Sequence, residues 1–104
     1  MRGVGRVEGP QDREYGGMST FLRIKSPSEL VTAIAKKPMR FIIRLNFGAL
    51  SAKNIEYLPR RRIFRVHNEI DGTTQRLTHA QLMNPRYTNI GTAMKAGAFF
   101  AETY

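Results

Sequence analysis

The sequence contains no cysteine, which excludes disulfide bonds, thiolate catalysis and cysteine-based zinc sites, and it gives no indication of secretion. No apolar run approaches the roughly 20 residues that a membrane-spanning helix requires, and the N-terminus lacks the apolar core of a signal peptide. The two histidines lack the companion residues of a metal site. We therefore expect a cytoplasmic protein that needs no membrane, metal or other cofactor.

Acidic residues are the other scarce class. The 104 residues include 17 Lys and Arg but only 8 Asp and Glu, giving a formal net charge of +9. Twelve of the basic residues are arginines, whose planar guanidinium suits phosphate better than an ammonium group does. This imbalance favours an anionic partner, which leaves nucleic acid, an acidic protein surface or anionic lipid.

Length and composition predict one folded domain. A chain of 104 residues with 41% hydrophobic and 24% charged residues is of ordinary globular composition and typical single-domain size. Residues 1–17 are rich in glycine and charge and lack apolar periodicity, so we interpret them as a disordered tail. Alternatively, Met18 is the native start and residues 1–17 are an over-called leader, since residues 13–17 would have purine-rich codons like a ribosome-binding site. Residues 18–104 are predicted to form a single basic α+β domain.

The helices of this domain are indicated mainly by capping signals. Ser26-Pro27-Ser28-Glu29 has the pattern of a capping box with proline at the first helical position, and Pro38 ends the helix that follows. Thr78-His79-Ala80-Gln81 repeats the capping pattern and opens a short helix that Asn84-Pro85 ends. Spaced apolar residues predict a last helix over residues 89–101, although Gly91 and Gly97 each cost it about 1 kcal/mol against alanine.

The strands are indicated by alternation of apolar and polar residues. Phe41 and Ile43 alternate with Arg40 and Arg44, and Asp71-Gly72 is a typical hairpin turn between two further strands. The predicted strands cover residues 21–25, 40–47, 55–58, 61–70 and 73–77. The fold class is thus α+β, a small antiparallel sheet of about four or five strands with one N-terminal and two short C-terminal helices, in the order β-α-β-β-β-β-α-α.

A dense basic block occupies the middle of the chain. Nine of the seventeen basic residues lie between positions 36 and 65, where Glu56 is the one acid. If the strand from Arg40 pairs near the strand from Arg61, their arginines project together on the solvent side. The predicted phosphate-binding residues are Lys36, Lys37, Arg40, Arg44, Lys53, Arg60, Arg61, Arg62 and Arg65. The alternative is a solvated face whose charges protect the sheet from edge-to-edge pairing.

The aromatic residues argue against base stacking as the mode of recognition. Phe41, Phe47 and Phe64 alternate away from the arginines and are predicted to lie in the core. Tyr57 and Tyr87 are then the mid-chain aromatics free to stack on bases. We therefore expect contacts to the phosphate backbone with weak sequence selectivity.

Two less favoured hypotheses are a helix-turn-helix mode of DNA binding and a nuclease activity. Residues 77–82 and 88–97 loosely resemble a helix-turn-helix in which Asn89, Thr92 and Lys95 face the major groove, although the connection is long and the second helix has little positive charge. A magnesium-dependent nuclease would have to use His67, Glu69 and Asp71, but Asp71 is more simply a turn former. No catalytic spacing is recognisable, so we do not expect an enzyme.

The sequence therefore predicts a small non-catalytic protein that binds nucleic acid through an arginine-rich sheet face. The alternative is an accessory or phage-type protein-interaction module that docks the same face on an acidic partner. Phe99 and Phe100 are expected in the core. The alternative hypothesis is that Phe99, Phe100 and Tyr104 form an exposed anchor for a partner or for a homodimer.

Overall fold

The computed structural model describes residues 20–44 and 50–104, with Leu50 described through its backbone. The predicted tail over residues 1–17, the proposed start at Met18 and residues 45–47 of the second predicted strand lie outside these ranges. The elements, in chain order, are β1 Thr20–Arg23, α1 Pro27–Ala35, β2 Arg40–Arg44, β3 Leu50–Leu58, β4 Ile63–Asn68, β5 Thr74–Thr78, α2 His79–Leu82, α3 Ile90–Lys95 and β6 Phe99–Thr103.

The strands form one six-stranded antiparallel sheet in the order β1-β6-β2-β3-β4-β5. This confirms the α+β class and the antiparallel sheet. Strands β2 to β5 follow one another as neighbours, whereas β6 inserts between β1 and β2. The first and last strands of the described residues are therefore paired with each other.

The hydrophobic core lies on one face of the sheet, beneath the helices. Phe41, Phe64 and Phe99 are fully buried there, and Leu30 of α1 and Met94 of α3 belong to the same cluster. Burying a side chain of this size contributes roughly 1.5–3 kcal/mol. Among the described residues, all three helices contribute their buried apolar side chains to this cluster, so they share one face of the sheet. None of these helices is long and apolar enough to span a bilayer.

The predicted capping signals are confirmed, with one change. Ser26 Oγ accepts a hydrogen bond from the backbone N–H of Glu29 at 3.2 Å, but the Glu29 carboxylate accepts from the backbone N–H of Lys25 at 2.8 Å. At α2 both halves of the box are present between Thr78 and Gln81, at 3.1 and 3.0 Å. These bonds satisfy N–H groups that the first helical turn leaves without partners.

The prediction of a last helix over residues 89–101 is wrong in its second half. Helix α3 ends at Lys95, and Gly97, with a φ of 72°, turns the chain into β6. Phe99 and Phe100 point to opposite faces of this inner strand and are both buried, which confirms their predicted place in the interior. An inner strand buried on both faces reads as a continuous apolar run, which periodicity alone does not distinguish from a buried helix.

The other differences concern strand ends. Strand β3 begins at Leu50 rather than at residue 55, and β4 begins at Ile63, so Arg61 lies in the preceding turn instead of in a strand. Ile70, the last residue of the strand predicted over residues 61–70, lies instead in the β4–β5 turn with 69% of its surface exposed. There Gly72 adopts a φ of 76°, as the predicted hairpin turn requires.

Candidate nucleic-acid interface

The sheet face opposite the core carries no helix among the described residues, and we call it the open face. Directly paired residues of antiparallel strands share a face, so the register identifies its members. One row across the sheet contains Arg23, Phe100, Ile42 and Ala52. One parallel row contains Phe21, Glu102, Arg40, Asn54, His67 and Thr74, and the next contains Glu56, Arg65 and Arg76.

Among the described residues, five arginines therefore lie on the open face, from four of the six strands. They are Arg23 of β1, Arg40 and Arg44 of β2, Arg65 of β4 and Arg76 of β5. The prediction that Arg40, Arg44, Arg61 and Arg65 share a face is confirmed for Arg40, Arg44 and Arg65, which alternate away from the core, and is wrong for Arg61, which lies in the turn before β4. Strands β2 and β4 are not adjacent, since β3 separates them by roughly 10 Å at the usual strand spacing.

Two of the five are matched by carboxylates of the same face. Arg65 Nη2 lies 2.7 Å from Glu56 Oε1, and Arg40 Nε lies 3.6 Å from Glu102 Oε1. Both pairs are at least partly exposed, so their contribution to folding stability is below about 1 kcal/mol. Their main consequence is electrostatic, since each carboxylate reduces the positive potential of its arginine.

Arg23 and Arg44 are held differently, by an aromatic ring. The guanidinium carbon of Arg44 lies 5.0 Å from the centroid of the Phe100 ring, and that of Arg23 lies 5.8 Å from it. Both distances are within the range of cation–π attraction. The Phe100 residue is only 2% exposed. In the described part of the chain, neither guanidinium forms a salt bridge.

Arg76 and Arg23 were not among the predicted phosphate-binding residues. Arg76 faces Arg65 directly across β4 and β5, a like-charge pair that is unfavourable without a counter-ion. The sequence did contain a signal for both. Each alternates with an apolar residue that is buried in the core, Ile24 in the case of Arg23 and Leu77 in the case of Arg76.

Three further predicted arginines lie at one end of the sheet. Arg60, Arg61 and Arg62 form the exposed β3–β4 turn, which is closed by backbone bonds from Arg61 N–H to Leu58 O at 3.2 Å and from Arg62 N–H to Pro59 O at 3.3 Å. Arg62 has a φ of 56°, an uncommon conformation outside glycine. Within the described residues no carboxylate pairs with these side chains.

The three predicted lysines do not join the open face. Lys36 and Lys37 follow α1 on the helix side, and they line two different grooves, of about 390 and 420 Å³. Lys37 shares its groove with Arg40 and Glu56, so it lies at the margin of the open face.

Lys53 points into the core face, opposite Phe41, and is only 6% exposed. Removal from water lowers the pKa of Lys53, while the negative charge of Asp71 acts in the opposite direction. Lys53 therefore does not lie on the open face with the predicted arginines. Strand alternation explains this, because Lys53 lies two residues before the buried Ile55.

The three residues of the nuclease hypothesis form local hydrogen bonds. Asp71 accepts hydrogen bonds from the backbone N–H and the hydroxyl of Thr73, which lower the pKa of its carboxyl group. Glu69 accepts from the Asn54 amide at 2.6 Å, and His67 is bonded to the Thr74 hydroxyl at 2.9 Å. In the described ranges no group of three acidic or histidine residues is placed to hold a metal ion.

The two C-terminal helices are short. Helix α2 has 4 residues and α3 has 6, less than the recognition helix of a helix-turn-helix needs to cross a groove.

Tyr57, predicted to be free for stacking, instead packs against Phe64 and His79, with ring centroids 4.8 and 5.6 Å away. Tyr87 is 46% exposed, and its backbone carbonyl accepts from Gln75 on the helix side.

Comparisons of the chain with protein-family models, with curated proteins and with solved structures found no significant match.

Proposed function

We propose that this protein is a non-catalytic nucleic-acid-binding protein that contacts the phosphate backbone through its open face and the adjoining β3–β4 turn. The observation that carries the proposal is the gathering of five arginines on one face that no described helix covers. Glu56 and Glu102 are their carboxylate partners in the described residues. Three more arginines project from the turn at the end of this face.

The mode of binding follows from which side chains are available. Phe41 and Phe64 are buried under the helices, and Tyr57 is packed against them. Phe100, the aromatic ring at the centre of the open face, is covered by Arg23 and Arg44. Within the described residues, no ring of the inner strands is thus offered to a base, and Phe21, which is partly exposed, lies at the edge of the open face on β1. Guanidinium N–H groups, in contrast, are offered to phosphate. Backbone contact predicts affinity that depends little on sequence and strongly on salt.

The first test is a salt titration of binding to a labelled DNA duplex, measured by fluorescence anisotropy. If about five phosphates are neutralised, the slope of log K against log salt concentration is near −4.5. A titration with single-stranded RNA and DNA of the same length then identifies the preferred form. Affinity that is insensitive to salt between low and physiological ionic strength would overturn the proposal.

Charge-matched variants localise the contact. Replacing Arg60, Arg61 and Arg62 by glutamine removes three charges beside the open face. The control replaces Lys25, Arg86 and Lys95, three exposed residues outside it. The two variants have the same net charge, so weaker nucleic-acid binding by the Arg60, Arg61 and Arg62 variant than by the control indicates a local contact. The proposed loss is roughly fivefold at 0.15 M salt for each phosphate contact removed.

The same surface charge would also suit an acidic protein partner in the cytoplasm. Capture from lysate with and without nuclease treatment separates the two classes of partner. Partners that are lost on nuclease treatment support nucleic acid. Partners that survive it, together with no binding to any purified nucleic acid, would replace this proposal by the protein-docking alternative.

A further inference from the structure

We infer that Arg23, Arg44 and Phe100 form a phosphate-binding clamp, in which the ring positions the two guanidiniums and their N–H groups bind the phosphate. We call these three residues the clamp. The inference rests on the proposed function for the source of the phosphate, which is a nucleic-acid backbone. A free phosphate compound is the other source of the same chemistry, and the experiment below distinguishes them.

The strand order creates the clamp. β6 lies between β1 and β2, so Phe100 has Arg23 directly opposite on one side and Ile42 on the other, with Arg44 two residues beyond Ile42. The two guanidinium carbons lie 5.8 and 5.0 Å from the same ring centroid. They are therefore no more than about 11 Å apart, close enough for neighbouring phosphates of one strand or for a single bridging polyphosphate.

Both arginines lie beside the turn between α3 and β6. A Cβ built on Gly97 would lie 3.8 Å from Arg23 Nε, so the Arg23 side chain passes directly beside the turn between α3 and β6. The backbone N–H of Arg44 donates to Ala98 O at 2.9 Å, which joins β2 to the same turn. A guanidinium held by its face loses less entropy on binding than a free one.

The clamp differs from Arg40 and Arg65 in which of its N–H donors remain without a partner. Arg40 and Arg65 each direct a nitrogen at a carboxylate. Attraction to a ring uses the face of a guanidinium and leaves its in-plane N–H donors available. No side-chain hydrogen bond of Arg23 or Arg44 to another described residue satisfies these donors. Two guanidinium groups that are already positioned and have no carboxylate partner among the described residues are suited to charge-assisted, bidentate hydrogen bonds to phosphate oxygens.

The first measurement is an NMR titration that follows the arginine Nε–Hε signals. Separate samples receive pyrophosphate, an oligonucleotide duplex, or sodium chloride at matched ionic strength. We expect the signals of Arg23 and Arg44 to shift with pyrophosphate and with the duplex, and to shift more than that of Arg86, an exposed arginine outside the open face. Equal small shifts of all three arginines, as the salt control gives, would overturn the clamp.

The second measurement compares Arg23→Gln, Arg44→Gln and their double variant with Arg86→Gln in duplex binding. Each clamp variant should reduce the magnitude of the salt slope by about 0.9 and the affinity at 0.15 M salt roughly fivefold, or about 30-fold for the double variant. Urea denaturation of each variant confirms that it is folded. Clamp variants that bind as well as Arg86→Gln would overturn the inference while leaving the proposed function intact.

The two proposals fail separately. If pyrophosphate shifts the clamp arginines but no nucleic acid binds, the clamp stands as a site for a free phosphate compound and the proposed function fails. If nucleic acid binds and the clamp signals do not move, the clamp fails and the remaining arginines of the open face carry the function.

Discussion

Removal of the carboxylate that pairs with Arg65 should make nucleic-acid binding tighter. Glu56 Oε1 lies 2.7 Å from Arg65 Nη2, and both side chains are well exposed, at 60% and 44% respectively. Glu56→Gln keeps the size of the side chain but removes its charge. Because the pair is exposed, the free energy of unfolding should fall by less than about 1 kcal/mol. A change in binding is then not a consequence of unfolding.

The expected gain follows from the geometry of the pair. A phosphate oxygen bonded to Arg65 would lie within roughly 5 Å of the Glu56 carboxylate, where two unit charges repel by about 0.8 kcal/mol in water. Removing this repulsion corresponds to about a fourfold gain in affinity at low salt. The gain falls to about twofold at 0.15 M salt, because the Debye length there is about 8 Å.

The control is Glu29→Gln, which changes the net charge by the same amount on the helix side of the sheet. Glutamine keeps the side-chain oxygen that accepts from the backbone N–H of Lys25. Both variants are titrated with the same labelled duplex at low and at physiological salt. The reasoning fails if Glu56→Gln does not bind more tightly than the unmodified protein, or if Glu29→Gln gives an equal gain.

Three further changes test the packing that supports the open face. Gly91→Ala should lower the free energy of unfolding by roughly 1–3 kcal/mol despite the better helix propensity of alanine, because a Cβ there would lie 2.5 Å from Met83 Cα; a more stable variant in urea denaturation would contradict this. Lys53→Met should raise stability at pH 7, because the lowered pKa of Lys53 means that folding disfavours its charged form. This advantage should shrink as the pH rises towards the ordinary lysine pKa of 10.5, and an advantage constant with pH would contradict the cause. Thr78→Ala should cost about 1 kcal/mol in thermal or urea unfolding through loss of the cap of α2, whereas an unchanged midpoint would mean that the cap contributes nothing.

Local signals in the sequence were sufficient for the helix starts and for the two sides of several strands. A cap depends on residues three positions apart, so Ser26 and Thr78 could be recognised without knowledge of the rest of the chain. Alternation likewise separates Phe41 from Arg40 and Phe64 from Arg65, since neighbouring residues of a strand point to opposite faces.

These local signals do not predict which strands, distant in the sequence, pair with each other. β6 inserts between β1 and β2, although residues 99–101 are apolar enough to be interpreted as the end of a helix. Which strands become neighbours depends on how their apolar faces close one core, and no short stretch of sequence encodes that. For this reason Arg23 was overlooked as a partner of Arg44, and β3 was not expected to separate the arginines of β2 from those of β4.

The amino-acid sequence by itself determined the excess of arginine, the absence of thiol chemistry and the direction in which most strand side chains point. The tertiary structure decided which of those arginines meet, which of them are matched by glutamate, and that Lys53 is buried beneath the helices. The physical reason is the sequence distance over which each effect acts. Caps and alternation depend on residues a few positions apart, whereas the contacts of a charged side chain depend on strands that come from distant parts of the chain.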